Sequence, residues 1–455
     1  MKTDITGGVI WKQLLSLFFP ILLGTFFQQL YNTADAIIVG RFLGKEALAA
    51  VGGGTGTLIN LLVGFFVGVS SGAAVIISQF YGAGKHRETR SAVHTAFAVA
   101  VCSGIIITVV GYVFSPAALA FMNTPQEIFP HALVYIRIYF IGSIPLTAYN
   151  MGAGIFRAIG DSRRPMYFLI VSTAANIVFD LLFIGVFGWG IAGAAWATVL
   201  SQCASMLMVT FSLSKTRKSY RLYITHIRFT FSILKAMLRI GFPTGIQSIL
   251  YTVSNILIQT SINALGTNTA AAWAAYGKID SLYWMTVSAF GIAMTTFAGQ
   301  NYGAGNYERI KTGSRQCMAM AGAASVLLAV FFRVCGKHLY LLFTSDTAVI
   351  AQGLAVLRFL APTFISFVPI EIYAGTIRGA GKSLIPTLIS ASGICLLRVV
   401  WIAIAVPIKP GLLTVAASYP ITWIITSLMF TIYYRSNKWL VHGAHRAVTQ
   451  DAASV

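Results

Sequence analysis

The feature that most constrains this chain is its succession of long apolar runs. A helix needs about 20 predominantly apolar residues to cross the hydrocarbon of a bilayer. Twelve stretches meet that length: 14–39, 51–79, 92–114, 132–156, 166–188, 190–213, 238–263, 271–299, 316–343, 350–377, 384–406 and 411–434. They are too long for barrel strands and lack the alternation such strands need, so helices are predicted. Of the 455 residues, 57% are hydrophobic and 10% charged, and the mean hydropathy is +0.77. A soluble domain carries about 25% charged residues and could not cover this much apolar surface. The predicted class is an all-α polytopic membrane protein.

The net charge of +20 is then a topology signal. No basic segment lies within a soluble domain, so nucleic acid is not an expected partner. With the N-terminus placed inside, 23 lysines and arginines, from Lys2 to Arg446, fall in inner segments. The outer loops hold Arg41, Lys45, Lys337 and Lys409. By the positive-inside rule both termini are expected in the cytoplasm, and the membrane is expected to be the cytoplasmic one. The first apolar run is too long for a cleavable signal peptide. The cysteines (102, 203, 317, 335 and 395) form no CxxC, and the histidines show no ligand spacing. Disulfides and structural metals are therefore not expected.

The chain also repeats itself. QFYGAGK at 79–85 returns as QNYGAGN at 300–306, and RAIGDSRRP at 157–165 returns as RGAGKSLIP at 378–386, both 221 residues on. A constant offset marks duplication. Each half holds six spans, so both halves point the same way, related by a pseudo-two-fold along the membrane normal. The expected domains are an N-terminal six-helix lobe (1–213), a basic cytoplasmic linker (214–237), a C-terminal six-helix lobe (238–435) and a tail (436–455). RGAGKS at 378–383 ends like a phosphate-binding loop, but Thr376 stands where the motif needs glycine and no strand precedes it. The expectation is a tight turn and no ATP site.

Four acids lie within apolar spans: Asp35, Asp180, Asp280 and Glu371. An intramembrane carboxylate is costly and marks a functional site unless it is paired. Lys278, Arg358 and Arg398 are near enough in depth to pair with Asp280 or Glu371. The N-terminal spans contain a single deep cation, Arg137, to serve both Asp35 and Asp180. Asn176 sits one turn below Asp180 on the same helical face, and Thr198 falls at similar depth on the next span. Two carboxylates, an amide oxygen and a hydroxyl suit a hard cation such as Na⁺, or a proton shared between close acids. Pro20, about four turns before Asp35, permits a bend in the first span, and Pro243 is its counterpart.

Order, spacing and duplication together resemble the multidrug and toxic compound extrusion (MATE) family over about residues 9–435. The carrying segments are the "FP" opening span 1, NTADAIIVGRFLGKEALAAVG, SQFYGAGK, FRAIGDSRRP, NIVFDLLFIG and GIAGAAWATVLSQ. The resemblance implies two six-helix bundles forming a V-shaped cavity, and export of amphipathic or cationic compounds in exchange for Na⁺ or H⁺. It places the cation site on Asp35, Asn176, Asp180 and Thr198, polar cavity positions on Gln28, Tyr31 and Asn150, and the bending proline on Pro20. Another branch of the family carries an acid in span 7. Here that span offers Gln247, Tyr251 and Asn255 instead, so a C-terminal cation site is not expected. Glu371 remains a candidate substrate or proton group.

The expected function is a secondary active antiporter, with no cofactor beyond the coupling ion and no enzymatic activity. Tyr31, Met151, Tyr251, Trp273, Tyr283 and Trp284 are expected to give an adaptable cavity. Small-molecule substrates and the bilayer are the expected partners, and a monomer the expected state. The alternative is a lipid-linked oligosaccharide flippase of the same superfamily. That activity would use Arg137, Lys278, Arg358 and Arg398 to hold pyrophosphate.

Overall fold

Every apolar run lies on helix in the computed structural model, which describes residues 5–440. Residues 441–455 of the expected tail, together with Lys2, lie outside the described residues. The first half holds α1 (Ile10–Gly52), α2 (Gly54–Gly82), α3 (His86–Phe121), α4 (Phe129–Ile141), α5 (Ser143–Ala158), α6 (Arg163–Asp180) and α7 (Gly190–Lys215). The second holds α8 (Phe231–Asn263), α9 (Thr267–Gly303), α10 (Tyr307–Leu341), α11 (Thr347–Leu360) and α12 (Val368–Gly379). It ends with α13 (Leu384–Ser390), α14 (Leu397–Ile408) and α15 (Leu412–Arg435).

Among the described residues, nine helices are long and apolar enough to cross a membrane, or ten if the pair α4 and α5, bent by 50°, is one span. α8 and α9 are longer than most of these but are interrupted by serine, threonine, asparagine and glutamine. Large apolar side chains stand exposed along the rods, such as Val109, Val113 and Phe114 on α3 and Leu327, Val330 and Val334 on α10. Such continuous apolar exposure marks a surface that meets lipid. The molecule is an all-α, multi-pass membrane protein.

Several spans are less regular than hydropathy alone predicts. The expected loop after the first span is helical, and α1 runs on to Gly52 through a break at Gly44 (φ 84°). A 3₁₀ turn, Ala361–Ser366, joins α11 to α12, and a π-helical turn, Ala391–Leu396, joins α13 to α14. α11 starts where the Asp346 carboxylate accepts from the backbone N–H groups of Ala348 (2.8 Å) and Val349 (3.3 Å), an N-cap that satisfies otherwise orphaned donors.

The duplication is visible in the backbone. Gly84 and Gly305 end their helices with φ of 69° and 77°, and Gly160 and Gly381 end theirs with 87° and 86°. Each pair is separated by the 221-residue offset of the sequence repeat. Only glycine enters this left-handed region without a steric cost. Gly381 also settles RGAGKS as a turn between helices.

The chain divides into two compact units. One comprises Phe19–Ser248, and the other comprises Ile5–Phe18 with the described part of Ile249–Gly443. Both boundaries fall inside helices. The division in α1 comes immediately before Phe19-Pro20, and that in α8 comes five residues after Pro243. Before its proline, α1 belongs with the second unit, where Phe18 stacks on Phe290 at 3.9 Å and Asn301 donates to the Ile5 carbonyl at 3.2 Å.

In the first unit, α2 and α8 approach closely. A Cβ built on Gly68 would overlap the Gly245 backbone, and one on Gly72 the Gly241 backbone. Small residues permit such contacts where no hydrophobic force drives helices together. The basic linker is docked onto this unit. Tyr220 and Leu222 are buried with the α2 and α3 core, and His94 accepts from the Tyr223 N–H at 3.0 Å. α8 begins at Phe231, within the stretch expected as linker.

Candidate functional site

Two side-chain hydrogen bonds fix how α1, α6 and α7 meet. Thr173 Oγ1 donates to the Phe27 carbonyl at 3.3 Å, tying α6 to α1. Ser172 Oγ donates to the Ser201 carbonyl at 2.8 Å, tying α6 to α7. Helical turns of three or four residues carry each element from these ties to the site. On α1 the steps lead from Phe27 to Tyr31 and Asp35. On α6 they lead from Ser172 to Asn176 and Asp180. On α7, which runs the other way, one step leads from Ser201 to Thr198.

The residues expected to hold the cation therefore converge. The carboxyl groups of Asp35 and Asp180 are close neighbours. The Tyr31 hydroxyl lies beside Thr198 and faces both acids. Tyr139 and Gln202 lie beside each other and next to the acids; Gln202 is one turn beyond Thr198. Asn176 and Asp180 have no exposed surface, and Asp35 is buried.

What distinguishes this cluster is unsatisfied polarity. Asp35 Oδ1, both Asp180 oxygens, both Asn176 amide atoms, Thr198 Oγ1 and the Tyr31 hydroxyl have no hydrogen-bond partner among the described residues. No described lysine, arginine or histidine pairs with either acid. Arg137, the one deep cation of these spans, lies 4.8 Å from the centre of the Tyr112 ring instead. Leaving a buried polar group unpaired costs about 1–3 kcal/mol, and more for a charge. Six of these atoms are oxygens, and such a set could hold a small hard cation, or a proton between the carboxyls. The chain follows Asp180 with a π-helical turn, Leu181–Val186. Such turns shift side-chain register and occur often at functional sites.

The other expected site residues are dispersed. Gln28 is exposed on α1, one turn before Asn32. Asn150 donates its amide to the Leu146 carbonyl of its own helix at 3.0 Å. Pro20 is buried within α1 at the unit boundary. Glu371 belongs to the second unit and is ion-paired at 3.5 Å with Arg378, two turns along the same face of α12. Hydropathy put Arg378 in a loop, so the pairing with Lys278, Arg358 or Arg398 does not occur. Lys278 and Arg358 are exposed. Asp280 accepts from Trp284 Nε1 at 2.6 Å and pairs with no cation among the described residues.

In the second unit, Arg398 lines a cavity of about 390 Å³ with Tyr251, Trp273 and Trp284. The sequence offered these as a cation near two acids and as scattered aromatics. Their meeting point depends on α8, α9, α14 and α15 packing together, which no local spacing encodes.

Known proteins agree with this architecture. The MatE family profile matches residues 20–182 and again 243–404, one copy in each half of the repeat. The probable multidrug resistance protein YoeA of Bacillus subtilis is 29% identical over 94% of both chains. YpnP of the same organism, also named a probable multidrug resistance protein, is 28% identical over 96% of this chain and 97% of its own. A crystal structure of a MATE protein in a bent conformation superposes with a TM-score of 0.89 at 23% identity, covering 99% of both chains. The fold and these relatives define a multi-pass membrane transporter rather than an enzyme. The chain belongs to the MatE family of multidrug efflux transporters.

Proposed function

We propose that this protein is an antiporter that expels amphipathic or cationic small molecules in exchange for Na⁺ or H⁺ bound between Asp35 and Asp180. The observation that carries the reading is the buried cluster of unpartnered oxygen atoms around two acids. The relatives YoeA and YpnP, named as multidrug resistance proteins, support the substrate class.

Coupling requires that the ion bind two conformations with different affinity. With neither ion nor proton, two adjacent buried carboxylates repel each other, and an arrangement of α1 that moves Asp35 from Asp180 is favoured. Neutralisation removes that repulsion and lets α1 close on α6 and α7. Pro20 lacks the N–H that would bond the residue one turn earlier, so α1 bends there at low cost. Tyr31, on the face of α1 that carries Asp35, transmits the shift to bound substrate. Thr198 and Asn176 supply neutral oxygens, which favour Na⁺ over a proton alone.

In this reading all twelve rods cross the membrane. The six-helix halves are related by a pseudo-two-fold along the membrane normal, and both termini are cytoplasmic. α8 and α9 count as spans although serine, threonine, asparagine and glutamine interrupt them. The protein works as a monomer. Of the four cations of the flippase alternative, Arg137 lies on Tyr112, Lys278 and Arg358 are exposed, and Arg398 lines a cavity without the other three.

The test is export from everted vesicles with Na⁺ and pH gradients imposed separately. Gradient-driven export that vanishes in Asp35→Asn, at unchanged membrane level, supports the assignment. Undiminished export in that variant refutes it.

A further inference from the structure

The repeat places a second site opposite in charge to the first. Counted from the matched prolines Pro20 and Pro243, Asp35 corresponds to Ile258, and at the 221-residue offset Asn176 and Thr198 correspond to Leu397 and Tyr419. Both acids of the first unit are lost, since Asp180 corresponds to Trp401. Yet a cavity lies at or within a residue of these positions, lined by Ile258, Arg398 and Tyr419. What was an acidic cluster in one half has become a cationic, aromatic-walled pocket in the other.

Arg398 is 4% exposed although it sits in an apolar span. Its Nη1 donates to Asn255 Oδ1 at 3.3 Å, and its guanidinium lies 4.3 Å from the centre of the Tyr419 ring. Nε has no partner, and no carboxylate pairs with it among the described residues. Arginine cannot shed its charge, so a buried one without a counter-ion carries a large desolvation cost. Asp280 makes no ion pair with Arg398: its Oδ2 accepts from Trp284, a wall of the same cavity, and its Oδ1 is left unpartnered.

The walls are planar. Tyr419 packs on Trp273 at 5.9 Å and on Trp423 at 5.4 Å, and Trp284 meets Trp423 at 6.0 Å, both Trp423 contacts near edge-to-face. A cavity of about 390 Å³ falls at the lower end of the range for small-ligand sites. Guanidinium favours a carboxylate, which it meets with two parallel N–H groups. Aromatic walls favour a flat apolar body.

We infer that this pocket binds a planar aromatic carboxylate, its anionic group on Arg398 and its rings between Trp273, Trp284 and Tyr419. As a substrate subsite this rests on the export reading above, whereas the binding itself does not. An exporter with this subsite would accept amphiphiles that carry a carboxylate as well as cations.

The probe is naphthoate, with naphthamide as its uncharged counterpart, titrated by calorimetry into the purified full-length protein in nanodiscs. Naphthoate is expected to bind saturably, and naphthamide at least about tenfold more weakly, since a buried charge-assisted pair is lost. Arg398→Met is expected to weaken naphthoate by a similar factor and to leave naphthamide unchanged. Gln259→Glu, at an exposed position of the cavity rim, supplies Arg398 with an internal carboxylate and is expected to abolish naphthoate binding without a change in the core. Equal affinities for acid and amide, no effect of either substitution, or no saturable binding by the parent protein overturns the inference. If naphthoate binds as described but is not exported, the pocket stands and only its role as a substrate subsite fails.

Discussion

At the scale of single residues, the two acids and the neutral oxygens around them play separable parts. Asp35 and Asp180 carry charge, so Asp35→Asn and Asp180→Asn are each expected to reduce gradient-driven export by at least about tenfold, as loss of a buried charge interaction does. The membrane level should not fall, because either substitution relieves the repulsion of two facing carboxylates. Thr198 and Asn176 contribute neutral oxygens. Thr198→Ala should raise the Na⁺ concentration for half-maximal export by about three- to thirtyfold, the worth of one ligand hydrogen-bond-scale interaction, while maximal export persists. Initial rates against Na⁺ concentration check this, and an unchanged half-maximal concentration would remove Thr198 from the site. These residues were legible in the sequence because depth along a helix can be counted. Partners at equal depth on neighbouring spans emerge from that count alone. Tyr139 and Gln202 were not, since a tyrosine or glutamine in a span more often packs than lines a site.

At the scale of elements, α1 and α8 share a design: each carries a proline near the point where the two compact units divide. Pro20→Ala restores a backbone hydrogen bond and stiffens α1. Proline costs about 3 kcal/mol relative to alanine inside a helix, so the variant should be no less stable than the parent. Its export rate should fall severalfold while Na⁺ binding stays within about twofold, as expected when a hinge rather than a ligand is altered. Full export by Pro20→Ala would mean that α1 need not bend. α2 and α8 meet backbone to backbone at Gly72 and Gly241. Gly72→Leu should therefore destabilise the folded protein by about 1–3 kcal/mol, the usual cost of overpacking, read as a lowered unfolding temperature in detergent. The spans and their turns were legible because apolar runs and turn glycines are local signals. The docking of 216–230 on α3 was not, because it answers to packing partners distant in sequence. The acid pairings failed for another reason: Glu371 is met by Arg378 of its own helix, which hydropathy assigns to a loop.

At the scale of the molecule, duplication explains how one fold holds two sites of unlike charge. The turn glycines that connect helices repeat with the same backbone conformation in both halves, while the site positions have diverged to acids in one and to arginine and aromatics in the other. In the proposed reading, a repeated frame with divergent contents would let an exporter bind its driving ion in one half and substrate in the other. The central claim is that a cation held by Asp35 and Asp180 drives export. Its most direct test uses purified protein in sealed proteoliposomes loaded with a fluorescent organic cation, with Na⁺ and pH gradients imposed one at a time. The parent protein should move the dye against its gradient when at least one ion gradient is applied, and Asp35→Asn and Asp180→Asn should each abolish that movement. Gradient-driven movement that survives in both variants would contradict the account.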